Sequence, residues 1–145
     1  MTGTTLAAGT RGIVASMAMT GMRRMTKGLG LVREAPPDEI ADEGAVVSRL
    51  IRFIPVENRG EAIEFAHWVF GGAAGAVFGA LIEPKVRSRW AGPIYGLAIW
   101  ALFETGAVPL LGLEETKERS VPQRLAIAAD HLLYGAILTP PTRRT

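Results

Sequence analysis

Charged and apolar positions separate into blocks along this 145-residue chain. From Phe65 to Ile82 there is no formally charged residue, and from Trp90 to Leu113 the acids are Glu104 and the phenol of Tyr95. Charge is concentrated instead in Glu34–Glu43 and Glu114–Arg124. A helix lying on a water-soluble core alternates polar and apolar positions at a 3.6-residue period. Blocks approaching ~20 apolar residues match a bilayer core instead. The pattern predicts an all-α fold in a single domain over 1–145. The architecture expected is a polytopic membrane bundle of about four transmembrane helices, near 6–25, 60–82, 90–111 and 121–138.

Punctuation supports those limits. Pro84 ends the second segment, Pro93 falls in the first turn of the third, and Pro140-Pro141 forbid continuation of the fourth. Ser120 with Pro122 reads as the start of the last helix. In 45–54, Val46, Val47, Leu50, Ile51 and Ile54 share one helical face with Ser48, Arg49 and Arg52 opposite. That predicts an amphipathic helix at the interface. The apolar stretch Leu6–Met22 could pass for a signal peptide, but its only basic residue, Arg11, lies inside it, so it is read as a helix.

Glycines strengthen the expectation of close helix packing. Gly71, Gly75 and Gly79 follow His67 at intervals of four, and Gly92 and Gly96 lead to Trp100 and Glu104 in the same way. Gly12 and Gly135 complete the set of expected helix-packing positions. Small-residue stripes let backbones approach. The segment from His67 to Gly72 parallels that from His131 to Ala136, which suggests two helical hairpins related as a parallel internal repeat.

Composition removes some chemistry. The chain has no cysteine, so disulfides, thiolate metal sites and cysteine nucleophiles are excluded. A net charge of +2 gives no reason to expect nucleic acid as a partner. There is no P-loop, dinucleotide loop, nucleophile elbow or HExxH pattern, so no catalytic residue is assigned and an enzyme is the less favoured reading.

Five ionisable residues fall within the apolar segments: Glu64, His67, Glu104, Asp130 and His131. Helical rise places all five toward one end of the bundle. The plainest reading is interhelical hydrogen bonding. A proton or ion relay is a second, because histidine titrates near neutrality. A metal site is a third, with His67, His131, Glu64 and Glu104 as candidate ligands. Glu64 and His67 form one Glu-x-x-His unit, but the adjacent Asp130 and His131 point about 100° apart on their helix. Bis-histidine haem ligation by His67 and His131 is a further option. No cofactor is required by any of these residues.

The glycine-led first helix ending Gly28-Leu29-Gly30-Leu31, the following Pro36-Pro37, and the segments His67–Gly79 and His131–Gly135 resemble the YagU-like group of small bacterial inner-membrane proteins of uncharacterised function. The resemblance implies a multi-pass protein of the bacterial plasma membrane and supplies no catalytic residues. The function expected is a small integral membrane protein, a structural or accessory component that contacts the lipid bilayer and forms a homo-oligomer or joins a larger membrane complex. The alternatives are a proton-linked or small-solute transporter or channel, and a metal- or haem-binding membrane redox protein.

Overall fold

A computed structural model of the chain describes residues 2–30, 53–107 and 120–140. They form four α-helices: α1 (Thr2–Gly28), α2 (Arg59–Leu81), α3 (Ala91–Leu102) and α4 (Val121–Leu138). A 3-10 turn at Val56–Asn58 leads into α2, and a π-helical turn at Phe103–Ala107 follows α3. No strand occurs among the described residues.

Local chemistry accounts for the ends. Gly30, at φ +70°, takes the left-handed conformation that closes α1, and its N–H donates to the Lys27 carbonyl at 3.0 Å. Helix α4 begins at Ser120, whose backbone N–H donates to Gln123 Oε1 at 2.8 Å, with Pro122 in the first turn. The hydroxyl of Thr105 donates back to the Ala101 carbonyl at 2.7 Å, where the α-helix gives way to the π turn.

The helices pair as α1 with α2 and α3 with α4, and contact between α1 and α4 joins the two pairs. The core is thin. Ala15, Met19, Phe78, Ala91, Tyr134 and Leu138 form its buried cluster. The Phe78 and Tyr95 rings meet at 5.3 Å between centroids, tilted by 46°. Much of the contact is made by backbone. A Cβ added to Gly12 would strike the Gly71 carbonyl, one at Gly71 would strike the Ser16 side chain, and one at Gly75 would stand 2.5 Å from the Ala8 carbonyl. Gly79 abuts Ala8 in the same way. In the second pair Gly92 and Gly135 face each other's carbonyls, and Gly96 faces the carbonyl of His131.

Two polar ties hold the bundle at the end where α1 begins. Arg11 pairs with Glu83, just past α2, at 2.5 Å, and its Nε donates to the Leu138 carbonyl at the end of α4 at 2.9 Å. Toward the other end Arg24 of α1 meets Glu64 of α2 at 3.4 Å. Arg124 of α4 meets Glu104, at the end of α3, also at 3.4 Å, with the charges exchanged between the two pairs.

The membrane expectations require correction. Among the described residues no helix is long and apolar enough to cross a membrane. Four expected transmembrane helices, and the multi-pass bacterial plasma-membrane location drawn from them, are therefore overturned, while the all-helical bundle stands. The physical reasons differ by helix. The α-helical part of α3 covers 12 residues, a length of about 18 Å against a hydrocarbon core of about 30 Å. α1 and α2 are long enough, at 27 and 23 residues, but α1 is diluted by threonine, glycine and Arg11, and α2 by Gly71, Gly72, Gly75 and Gly79 and by Arg59, Glu61, Glu64 and His67 in its first half. α4 has 18 residues and carries Arg124, Asp130 and His131. The first helix also starts earlier than expected, at Thr2. Of the amphipathic segment 45–54, Phe53 and Ile54 lie in a turn and a bend, and the remainder lies outside the described residues, as do positions 108–111 of the third expected helix.

Candidate functional site

Four side chains from three helices share one electrostatic environment: Arg23 of α1, His67 of α2, and Asp130 and His131 of α4. Arg23 is carried inward because it follows Met19 and Thr20 by four and three residues, and both of these are buried. Its Nη2 lies 3.4 Å from His67 Nε2. A guanidinium only donates, so the ring nitrogen accepts and the imidazole is neutral with its proton on Nδ1. Burial, the Arg23 charge and His131 together push the His67 pKa down to about 4. His131 uses its other nitrogen, with Nδ1 2.9 Å from the carbonyl of Ile127 one turn back and therefore donating to it. Burial lowers its pKa too; the Ile127 hydrogen bond opposes that shift and Arg23 reinforces it.

Asp130 is the strained member of the cluster. It is buried, and its Oδ1 has no hydrogen-bond partner among the described residues. Burial raises its pKa to about 6, against the opposing pull of Arg23. The two titrating groups are thus shifted past one another, and near pH 5 both His67 and Asp130 are predominantly neutral. Trp100 Nε1 is a second buried polar atom without a partner among the described residues.

The other sequence candidates are placed elsewhere. Glu64 is drawn to Arg24 and Glu104 to Arg124, so neither carboxylate joins the histidines through a direct bond. Burial raises the Glu104 pKa while Arg124 opposes the rise. Among the described residues no three His, Asp or Glu side chains are grouped to hold a metal ion. The candidate ligands His67, His131, Glu64 and Glu104 are accordingly divided between a histidine-centred cluster and two separate ion pairs. The packing glycines Gly12, Gly71, Gly75, Gly79, Gly92, Gly96 and Gly135 all lie at helix contacts, beside the polar groups rather than among them.

Tyrosines and a tryptophan bind the cluster's surroundings to neighbouring backbones. Tyr134 donates its hydroxyl to the Gly71 carbonyl at 2.6 Å, and Tyr95 donates to the Ala74 carbonyl at 2.9 Å. Trp68 Nε1 donates to Thr20 Oγ1 at 3.2 Å. Burial raises the pKa of both phenols, so they remain donors at any ordinary pH. Tyr134→Phe leaves the packing of the ring intact and removes a bond from α4 to the centre of α2. The expected loss is about 1–2 kcal/mol in urea unfolding, and an unchanged midpoint would show that this bond contributes nothing.

Sequence reading missed Arg23 and Arg11. Both had a signal: each falls on the small or buried side of α1, Arg11 within the expected helix and Arg23 one turn beyond Met19. No family model, curated protein or solved structure matches this chain.

Proposed function

We propose that the chain is a non-enzymatic assembly module, a helical bundle that works by associating through its outer faces. The observation that carries this reading is the distribution of apolar side chains. Small residues and backbone fill the contacts between helices, while large apolar side chains point outward. Phe65, Phe70, Leu81, Ile94 and Leu102 are each about 60–70% exposed. Continuous exposed apolar faces mark interaction sites in folded proteins.

The internal polar groups fit a structural role. Arg11, Arg24, Arg124, Tyr95 and Tyr134 each bond across helices. The Arg23 cluster offers no nucleophile poised beside a base, the arrangement nucleophilic catalysis needs. Association is tested by sedimentation of the purified chain over a dilution series from high to low micromolar concentration. A species larger than the 15.5 kDa monomer that dissociates on dilution is expected. A monomer at every concentration would overturn self-association.

A further inference from the structure

One end of the bundle gathers the start of α1, the end of α2, the start of α3 and the end of α4. Arg11, bonded to Glu83 and to the Leu138 carbonyl, ties these elements together there. The turn from α2 to α3 lies at this end, and every residue of Pro84–Trp90 is exposed. Cations occupy every second position of it, Lys85, Arg87 and Arg89, with Val86 and Trp90 set among them. Trp90 is 59% and Val86 47% exposed. We infer that this end of the bundle docks on the headgroup layer of an anionic lipid bilayer, with Lys85, Arg87 and Arg89 on the phosphates and Val86 and Trp90 entering the layer. The mode is peripheral and requires no helix to cross the bilayer. It goes beyond the assembly reading by naming a partner other than the chain itself.

Charge points to the occupant. Among the described residues at this end, within 2–12, 79–93 and 135–140, the cations are Arg11, Lys85, Arg87 and Arg89, and the one acid, Glu83, is held by Arg11. Lys85, Arg87 and Arg89 pair with no acid among the described residues. The acids Glu57, Glu61, Glu64 and Glu104 lie at the opposite end, where α1 and α3 finish and α2 and α4 begin. An anionic surface therefore attracts one end of the bundle and not the other. Each lysine or arginine brought to such a surface adds about fivefold in affinity.

The turn is held in shape by its own hydrogen bonds. The N–H groups of Lys85 and Val86 both donate to the Ile82 carbonyl at 2.9 Å, and the Trp90 N–H donates to Ser88 Oγ at 3.2 Å. The Arg89 guanidinium lies over the Trp90 ring, 5.5 Å from its centroid, so charge and indole are presented together. Tryptophan beside a cation suits a headgroup layer, where the ring meets the acyl boundary and the charge meets phosphate. Leu6 of α1, Leu81 of α2 and Ile94 of α3 add exposed apolar surface at the same end. The phosphates of a nucleic acid would satisfy the cations but leave these aliphatic side chains in water, so a lipid surface is favoured.

The test sediments the full chain with vesicles of phosphatidylcholine alone and with vesicles of phosphatidylcholine and phosphatidylglycerol in equal parts. Binding to the mixed vesicles is expected to be on the order of a hundredfold tighter at low salt, and to weaken as salt is raised. The K85Q/R87Q/R89Q variant should lose most of that preference, whereas K85R/R87K/R89K should keep it. The absence of native cysteine permits a second reading by single labels. An environment-sensitive fluorophore on V86C should shift to the blue with mixed vesicles, and the same label on L125C, an exposed position at the opposite end, should not. This reading stands even if the glutamine variant loses helix, which circular dichroism checks. Equal binding to both kinds of vesicle, binding to neither, or a shift at 125 and none at 86 overturns the proposal. An oligonucleotide bound with the same dependence on the three cations, in a chain that ignores vesicles, overturns it in favour of nucleic acid. Self-association is read separately, without lipid. A chain that associates but ignores vesicles keeps the assembly reading and loses this one, and a monomer that binds mixed vesicles does the reverse.

Discussion

Gly135→Ala is expected to lower the stability of the bundle by about 3 kcal/mol, toward the upper end of what overpacking costs. The added methyl would land on the Gly92 carbonyl and 2.7 Å from the Pro93 Cα. Both obstacles are backbone, so no rotamer change relieves the clash, and α3 and α4 must separate along their length. Gly21→Ala is the matched comparison. That glycine lies on an exposed part of α1 with nothing within 4 Å of the new methyl, and alanine there should stabilise the helix by roughly 0.5–1 kcal/mol. Urea unfolding of the two variants should bracket the parent from opposite sides. Equal stability of the two would mean that α3 and α4 are not in backbone contact.

The second large effect is a change in acid sensitivity on Asp130→Asn. In the folded chain the Asp130 pKa is raised from 3.8 to about 6, so between those values the folded state holds more protons than the unfolded one. Its contribution is therefore complete below pH 3.8 and is lost as pH rises toward 6. His67 has the opposite sign. Its pKa falls from 6.5 to about 4, and the unfolded state binds the extra proton, so stability is lost as pH falls from 6.5 toward 4. Between about pH 4 and 6 the two slopes oppose each other, and the parent should be nearly indifferent to pH through this pair. Asparagine leaves the histidine slope unopposed. The variant should be more stable than the parent by about 1–2 kcal/mol at pH 7.5, and should lose that advantage as the pH falls to 4. Parallel stability curves for the two proteins would show that Asp130 does not titrate in this range.

The helices themselves were legible because proline, glycine and serine punctuate the chain at their ends. Pro84 and Pro140 lie just beyond α2 and α4, and Ser120 immediately before α4. Membrane spanning was misread because block segregation of charge was weighed above length and apolarity. Gly71, Gly72, Gly75 and Gly79 interrupt the run from Phe65 to Ile82 with residues of little transfer free energy, and Thr105 and Gly106 accompany the early end of α-helical geometry in α3. The polar cluster was partly legible. His67, Asp130 and His131 stand out as ionisable residues within apolar runs, and all three feel the charge of Arg23 from α1. Glu64 shares a helical face with His67 at a spacing of three, and Glu104 continues the stripe of Gly92, Gly96 and Trp100, but depth and face do not say which side chain of a neighbouring helix each will meet. Each is drawn aside by an arginine, Arg24 or Arg124, whose partner depends on which helices are neighbours. Arg23 was missed for the same reason: its reach to α2 and α4 exists only once α1 lies between them.

The tie from Arg11 to the Leu138 carbonyl joins residues 127 apart. Helices that pair locally form fast, while contacts distant in sequence must wait for the intervening chain. On a ribosome, α1 and α2 can associate as soon as both emerge, but Arg11 cannot close on α4 until Leu138 has emerged as well. The order of construction is then written into the bundle: an early hairpin held by glycine contacts, a later hairpin of the same design, and a latch between α1 and α4 that shuts only once α4 has been made.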